Sequence, residues 1–214
     1  MSSEQFRQTV LESRLISIVR SKESVFEDLK KVFLGVERSG LQLIEVTLNT
    51  PDALKTISWC SSHPATKLKF GAGTVTTLEE AKAAISAGAQ FLVCPILSIA
   101  VIEEGLRSNV PVIPGCMTPT EVFTAQSAGA EFIKLFPVSS LGANYLKDML
   151  APLSSAKLIA VGGVGLDNLA HYFEAGAVAV GIGNSLISEK LLREASEEEV
   201  LNRLEQYVKA CRKI

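Results

Sequence analysis

The sequence predicts an α/β chain folded as a (β/α)8 TIM-type barrel, with residues 1–214 forming one domain, and three observations carry this expectation. Three segments end alike: "AAISAGAQF", "TAQSAGAEF" and "HYFEAGAVA" each run a helical pattern into a glycine (Gly88, Gly129, Gly176) and then an apolar stretch. Eight short apolar runs punctuate the chain, and the 161 residues from Arg20, closing the first, to Gly181, closing the eighth, make seven intervals of 23. That spacing suits a strand, a helix of two to three turns and two short loops. Finally, 214 residues with 47% hydrophobic content and no linker or low-complexity stretch are enough for one full core. An open doubly wound sheet is the second choice.

Taken in order, the first strand is read over Leu15–Val19 and the second over Leu43–Thr47, preceded by "GVERSGLQLIEV", a weaker copy of the repeat around Gly40. The others fall at Lys69–Gly71, Phe91–Cys94, Pro111–Pro114, Phe132–Leu135, Leu158–Val161 and Val178–Gly181. Capping boxes at Thr77-x-x-Glu80, Thr118-x-x-Glu121 and Ser196-x-x-Glu199 mark helix starts. The last opens a C-terminal helix with Val200, Leu204, Val208 and Cys211 on one face.

Charge and composition exclude several functions. A net charge of −2 and a pI near 5.8, with scattered basic residues, leave no footprint for nucleic acid or an anionic membrane. The N-terminal "MSSEQFRQTVLESR" lacks an apolar core and no long apolar run follows, so a soluble cytoplasmic protein is expected. Cys60, Cys94, Cys116 and Cys211 are too dispersed for CxxC chemistry and read as reduced thiols. His63, in the turn-like "SSHPAT", and His171, in "LDNLAHYFEAG", read as surface or helix-packing residues, and no metal is expected.

The chemistry begins with "EFIKLFP" (Glu131–Pro137), where one lysine interrupts a buried-strand pattern. Alternation puts Phe132, Lys134 and Phe136 on one face and Ile133 and Leu135 on the other. A desolvated lysine loses its proton more readily and becomes a nucleophile suited to Schiff-base formation. In "LQLIEVTLNTP" the same alternation turns Leu43, Glu45 and Thr47 inward, so Glu45 can meet Lys134 inside a barrel. A buried Lys134–Glu45 pair that serves only the fold is the competing reading.

"VGGVGLDN" (Val161–Asn168) and "GIGNSL" (Gly181–Leu186) follow the seventh and eighth strands, where barrels bind phosphate through backbone N–H groups. Glycines needed only for tight turns are the alternative. A dinucleotide fingerprint fails, because "GAGTVT" has Thr76 and "GIGNSL" has Leu186 at the last glycine position. No cofactor is expected.

Across Leu15–Leu186, the ordered set "IEVTLNTP", "GAGTV", "AGAxF", "PGCMTPTE", "IKLFP", "GGV" and "VGIGNSL" resembles the 2-keto-3-deoxy-6-phosphogluconate / 4-hydroxy-2-oxoglutarate aldolases, a family that includes the 2-keto-3-deoxy-6-phosphogalactonate aldolases. The resemblance implies a metal-independent class I aldolase with a (β/α)8 fold, a homotrimer acting on a small-molecule substrate. It further implies Lys134 as Schiff-base residue and Glu45 as general acid/base. Thr74 would help hold a pyruvate carboxylate, Pro95, Pro114 and Phe136 would line the pocket, and the backbone at Gly162, Gly163, Gly183 and Asn184 would grip phosphate.

Two positions depart from the family pattern. Asn49 stands where one branch has the arginine that binds the pyruvate carboxylate, so that role is assigned to Arg20, which closes the first strand as in other members. Asn184 stands where members usually have serine. The expected reaction is cleavage of a 2-keto-3-deoxy-6-phospho-sugar acid to pyruvate and glyceraldehyde 3-phosphate. Cleavage of 4-hydroxy-2-oxoglutarate to pyruvate and glyoxylate stays open, as does a non-aldolase phosphate-binding barrel.

Overall fold

The computed structural model of the chain describes residues 2–63 and 68–213. Among these, the sheet contains nine short parallel strands: β1 (Leu15–Val19), β2 (Leu43–Thr47), β3 (Lys69–Gly73), β4 (Leu92–Val93), β5 (Val112–Ile113), β6 (Gly115–Cys116), β7 (Phe132–Leu135), β8 (Lys157–Val161) and β9 (Ala179–Ile182). Their order is β5-β4-β3-β2-β1-β9-β8-β7-β6. The sheet's two ends, β5 and β6, are halves of one extended segment broken at Pro114. Proline has no N–H to give to the ladder, but its carbonyl accepts from Lys134 N at 2.9 Å. The sheet thus closes into an eight-stranded barrel, as the repeat predicts. The turn read at residues 61–66 lies partly outside the described residues.

Helices α2 (Phe26–Arg38), α3 (Ala53–Ser61), α4 (Leu78–Ser86), α5 (Ile99–Ser108), α6 (Pro119–Ser127), α7 (Gly142–Leu150) and α8 (Leu169–Glu174) connect successive strands, and α9 (Glu189–Glu194) and α10 (Glu197–Arg212) close the chain. All three expected capping boxes form, and Gly88, Gly129 and Gly176 follow their helices at φ +91°, +98° and +104°. No described helix is long and apolar enough to cross a membrane.

Strand alternation divides the core in two. Ile44, Val46, Ile133 and Leu135 pack outward among the helices, while Leu43, Phe91, Phe132 and Ile159 fill the barrel interior. Gly71 makes room for this filling, since a Cβ there would lie 2.5 Å from the Phe91 ring.

The N-terminal helix α1 (Ser3–Ser13) is an element that the repeat does not foretell. It opens with its own capping box, Ser2 to Gln5, and buries Phe6 and Val10 within the interior cluster. The Phe6 ring lies 5.4 Å from Phe91 and 6.0 Å from Phe132. Both partners stand where strands β4 and β7 begin, so α1 stoppers the N-terminal mouth and leaves the C-terminal mouth open. The four cysteines are buried and free, and burial pushes each thiol up to about 12.

Candidate active site

Glu45 and Lys134 project into the barrel from β2 and β7, and only 1% and 4% of their surfaces are exposed. Among the described residues neither side chain has a hydrogen bond or ion pair, and Glu45 Oε2 is buried without a partner. Desolvation therefore dominates both groups. Burial raises the Glu45 carboxyl to about 7 although the Lys134 and Arg20 charges pull it down. Burial lowers Lys134, and Glu45 opposes that shift only in part. The ammonium also sits 4.6 Å from the centre of the Phe136 ring. Two proximal ionisable groups, each pushed toward its neutral form, are the arrangement that a nucleophilic amine and an acid/base carboxyl require.

A cavity of about 410 Å³ opens above Lys134 at the C-terminal ends of the strands. It is bordered by Arg20, Lys134, Phe136, Gly162, Gly163, Gly183 and Asn184, seven of the residues that the sequence singles out. Glu45 lies deeper, on a small inner space that shares Ile18, Lys134, Val161 and Gly181 with the larger one. Thr74, Pro95 and Pro114 are not among the residues that border the main cavity. Pro114 instead fixes the Lys134 backbone, and Pro95 packs its backbone against Gly115, where a Cβ would come within 2.4 Å. Thr74 reaches the site through Arg20, whose NH2 donates to its hydroxyl at 3.3 Å. Thr74 holds φ +58°, a left-handed conformation that is strained for a β-branched residue.

The outer part of the cavity is built from the loops after β8 and β9. Gly162 and Gly163 take φ +104° and +73°, and a Cβ on Gly163 would come 2.7 Å from Ser139. Asn168 braces the first loop, its Oδ1 accepting from Gly165 N and its Nδ2 donating to Gly163 O, both at 2.9 Å. Ser185 Oγ donates to Val164 O at 2.9 Å, joining the two loops. From α10, Arg203 donates to Ser185 O and Leu186 O, and Tyr207 OH donates to Ser185 O at 2.7 Å. The backbone N–H groups of Gly163, Val164, Asn184 and Ser185 have no acceptor among the described residues, so they are available to an anion.

Sequence reasoning passed over Asp167 and Ser185, which also border the cavity. Asp167 is the one charged side chain of the glycine segment Val161–Asn168, and no local pattern there marks a carboxylate as bordering a cavity. Ile18 was legible from the alternation of β1. Among the described residues no group of three or more His, Cys, Asp or Glu side chains is placed to hold a metal.

Comparison with known proteins agrees with this geometry. The family model described as KDPG and KHG aldolase matches residues 7–203. The chain is 38% identical over 149 residues to the 2-dehydro-3-deoxy-6-phosphogalactonate aldolase of Escherichia coli (strain K12), covering 69% of this chain and 73% of that protein. A solved structure described as native KDPGal superposes with a TM-score of 0.83 at 33% identity, over 93% of this chain and 94% of that one. A cube-shaped designed cage made by fusing symmetric oligomeric domains superposes equally, with a TM-score of 0.83 at 33% identity, over 93% of this chain and 72% of that one. With its barrel, its buried lysine and carboxyl and these matches, the chain belongs to the KDPG and KHG aldolase family.

Proposed function

We propose that this chain is a class I aldolase that reversibly cleaves a 2-keto-3-deoxy-6-phospho-sugar acid, of the phosphogluconate or phosphogalactonate type, to pyruvate and glyceraldehyde 3-phosphate. The observation that carries this reading is Lys134: a lysine 4% exposed, shifted toward its neutral amine, facing a cavity large enough for a six-carbon acid.

In this reading the neutral Lys134 amine attacks the C2 carbonyl, and protonated Glu45 gives its proton to the carbinolamine hydroxyl, which leaves as water, giving an iminium and a Glu45 carboxylate. Glu45, directly or through one water, takes the proton of the C4 hydroxyl as the C3–C4 bond breaks, and the electron pair of that bond flows into the iminium. Glyceraldehyde 3-phosphate departs. The remaining enamine takes a proton at C3 from Glu45, and hydrolysis of the iminium releases pyruvate, frees the Lys134 amine and returns a proton to the Glu45 carboxylate. Arg20, braced by Thr74, holds the pyruvate carboxylate, and Phe136 walls the pocket beside the reacting carbons. The free N–H groups of Gly163 and Asn184, with the backbone of Gly162 and Gly183, receive the phosphate. Pro95 and Pro114 support the lysine strand.

We further propose one domain over residues 1–214, a cytoplasmic location and a homotrimer. Large apolar side chains left exposed, Phe123 at 62% and Ile96 at 52%, support an oligomer, and the mass in solution by light scattering tests it.

Incubation with pyruvate and borohydride, followed by intact mass and peptide mapping, tests the reading of the site. A reduced pyruvyl adduct on Lys134 is expected. No adduct on a folded protein overturns the Schiff-base assignment. A panel of acids then separates phosphorylated substrates from 4-hydroxy-2-oxoglutarate.

A further inference from the structure

Arg20 stands at the end of β1, on a long side chain whose head is steadied by Thr74 at 3.3 Å. Such a side chain clamps a carboxylate efficiently only when its backbone is fixed, because each free rotor must be ordered on binding. The next residue supplies the fixing. Ser21 N donates to Thr50 Oγ1 at 3.1 Å, and Thr50 Oγ1 lies 3.0 Å from Thr47 Oγ1 at the end of β2. On its other side the Ser21 hydroxyl donates to Glu189 Oε1, and Lys22 N donates to the same oxygen at 2.6 Å. Ser21, Thr47 and Thr50 are all buried. Arg193, one turn along α9, adds an ion pair to Glu23 at 2.7 Å.

Glu189 is the first residue of α9, which follows directly on the Gly183–Ser188 loop. The latch therefore joins the loop that carries Arg20 to the loop that carries Gly183 and Asn184, which follow the neighbouring strands β1 and β9 and both border the cavity. We propose that Glu189 is a positioning residue: it touches no substrate, but by holding Ser21 and Lys22 it sets the distance between the Arg20 clamp and the β9 loop. This rests on the reading of Arg20 as the pyruvate carboxylate clamp. Both bonds end on Oε1, so a carbonyl-type oxygen at that point can receive both of them without the negative charge.

The test compares Glu189→Ala with Glu189→Gln. Alanine removes the shared acceptor of the Ser21 hydroxyl and the Lys22 N–H and loosens the loop behind Arg20, so KM for pyruvate in the synthesis direction rises about five- to tenfold while kcat stays within about twofold. Glutamine keeps the acceptor and stays within about twofold of the parent in both constants. Hydrogen exchange across residues 20–23 follows the same order, faster in the alanine variant and unchanged in the glutamine variant. An unchanged pyruvate KM in Glu189→Ala, or a glutamine variant as impaired as the alanine one, overturns the proposal. Pyruvate trapping of the parent protein is run alongside: its absence overturns the reading of the site, and the exchange pattern still decides the latch.

Discussion

A Cβ added to Gly73 would lie 2.7 Å from Oε1 of Glu45. The glycine on β3 is thus the space in which the carboxyl of β2 sits. Gly73 has no left-handed backbone, so an alanine there acts by collision and not by strain. Gly73→Ala should displace the Glu45 carboxyl and lower kcat by about a hundredfold, the scale of an ångström misplacement at a reacting centre. Overpacking adds about 1–3 kcal/mol of destabilisation. Steady-state kinetics with a denaturant titration check both, and full activity would show that Glu45 is not the acid/base.

Glu45 should also leave a mark on stability. The folded chain holds its proton up to about 7, whereas the free group releases it near 4.5, so between these values the unfolded state binds fewer protons. Stability then falls as pH rises through that window, by roughly 3 kcal/mol in all. The carboxyls of Glu80, Glu121 and Glu199 are lowered by hydrogen bonds, so their contributions are lost only as pH falls below the free-group value. Glu45→Gln should remove the decline between pH 4.5 and 7, measured by chemical denaturation at several pH values. A decline of equal size in the variant would refute the assignment.

Lys134 lowers Glu45 by its charge. Lys134→Met keeps much of the side-chain volume and removes that charge. The variant should fold, fail to trap pyruvate, and extend the pH-dependent loss of stability above pH 7. Loss of the fold would instead favour a structural Lys134–Glu45 pair.

Asp167 is the one charged side chain contributed to the cavity by the loops after β8 and β9. A carboxylate there would oppose a phosphate dianion received by the neutral N–H donors of the proposed site. Asp167→Asn should lower KM for glyceraldehyde 3-phosphate about two- to fivefold, the scale of one exposed charge pair, and leave KM for unphosphorylated glyceraldehyde unchanged. High salt should erase the difference. An equal effect on both aldehydes would place the residue's influence elsewhere.

Phe6 is 2% exposed and packs on Phe91 and Phe132 at the closed mouth of the barrel. Phe6→Ala should cost about 3–5 kcal/mol in a denaturation experiment, with pyruvate trapping retained by the folded fraction. A loss below 1 kcal/mol would mean that α1 is not a structural stopper.

The strands, helix starts and inward faces were legible in the sequence because they rest on local rules. Period-two alternation put Glu45 and Lys134 inside before any contact was known, capping boxes marked α4, α6 and α10, and glycines ended three helices. Tertiary structure alone decided the rest, because those features depend on residues far apart in the chain. Only ring closure through Pro114 makes β5 and β6 one barrel strand, and only the assembled barrel turns α1 from a polar-looking segment into a stopper. The packing of Pro95 on Gly115, the Asp167 carboxylate at the cavity and the Glu189 hold on Ser21 all arise between loops. No local pattern encodes such distances. The sequence determined which groups can do the chemistry; the packing of the barrel decided which of them meet, and at what protonation.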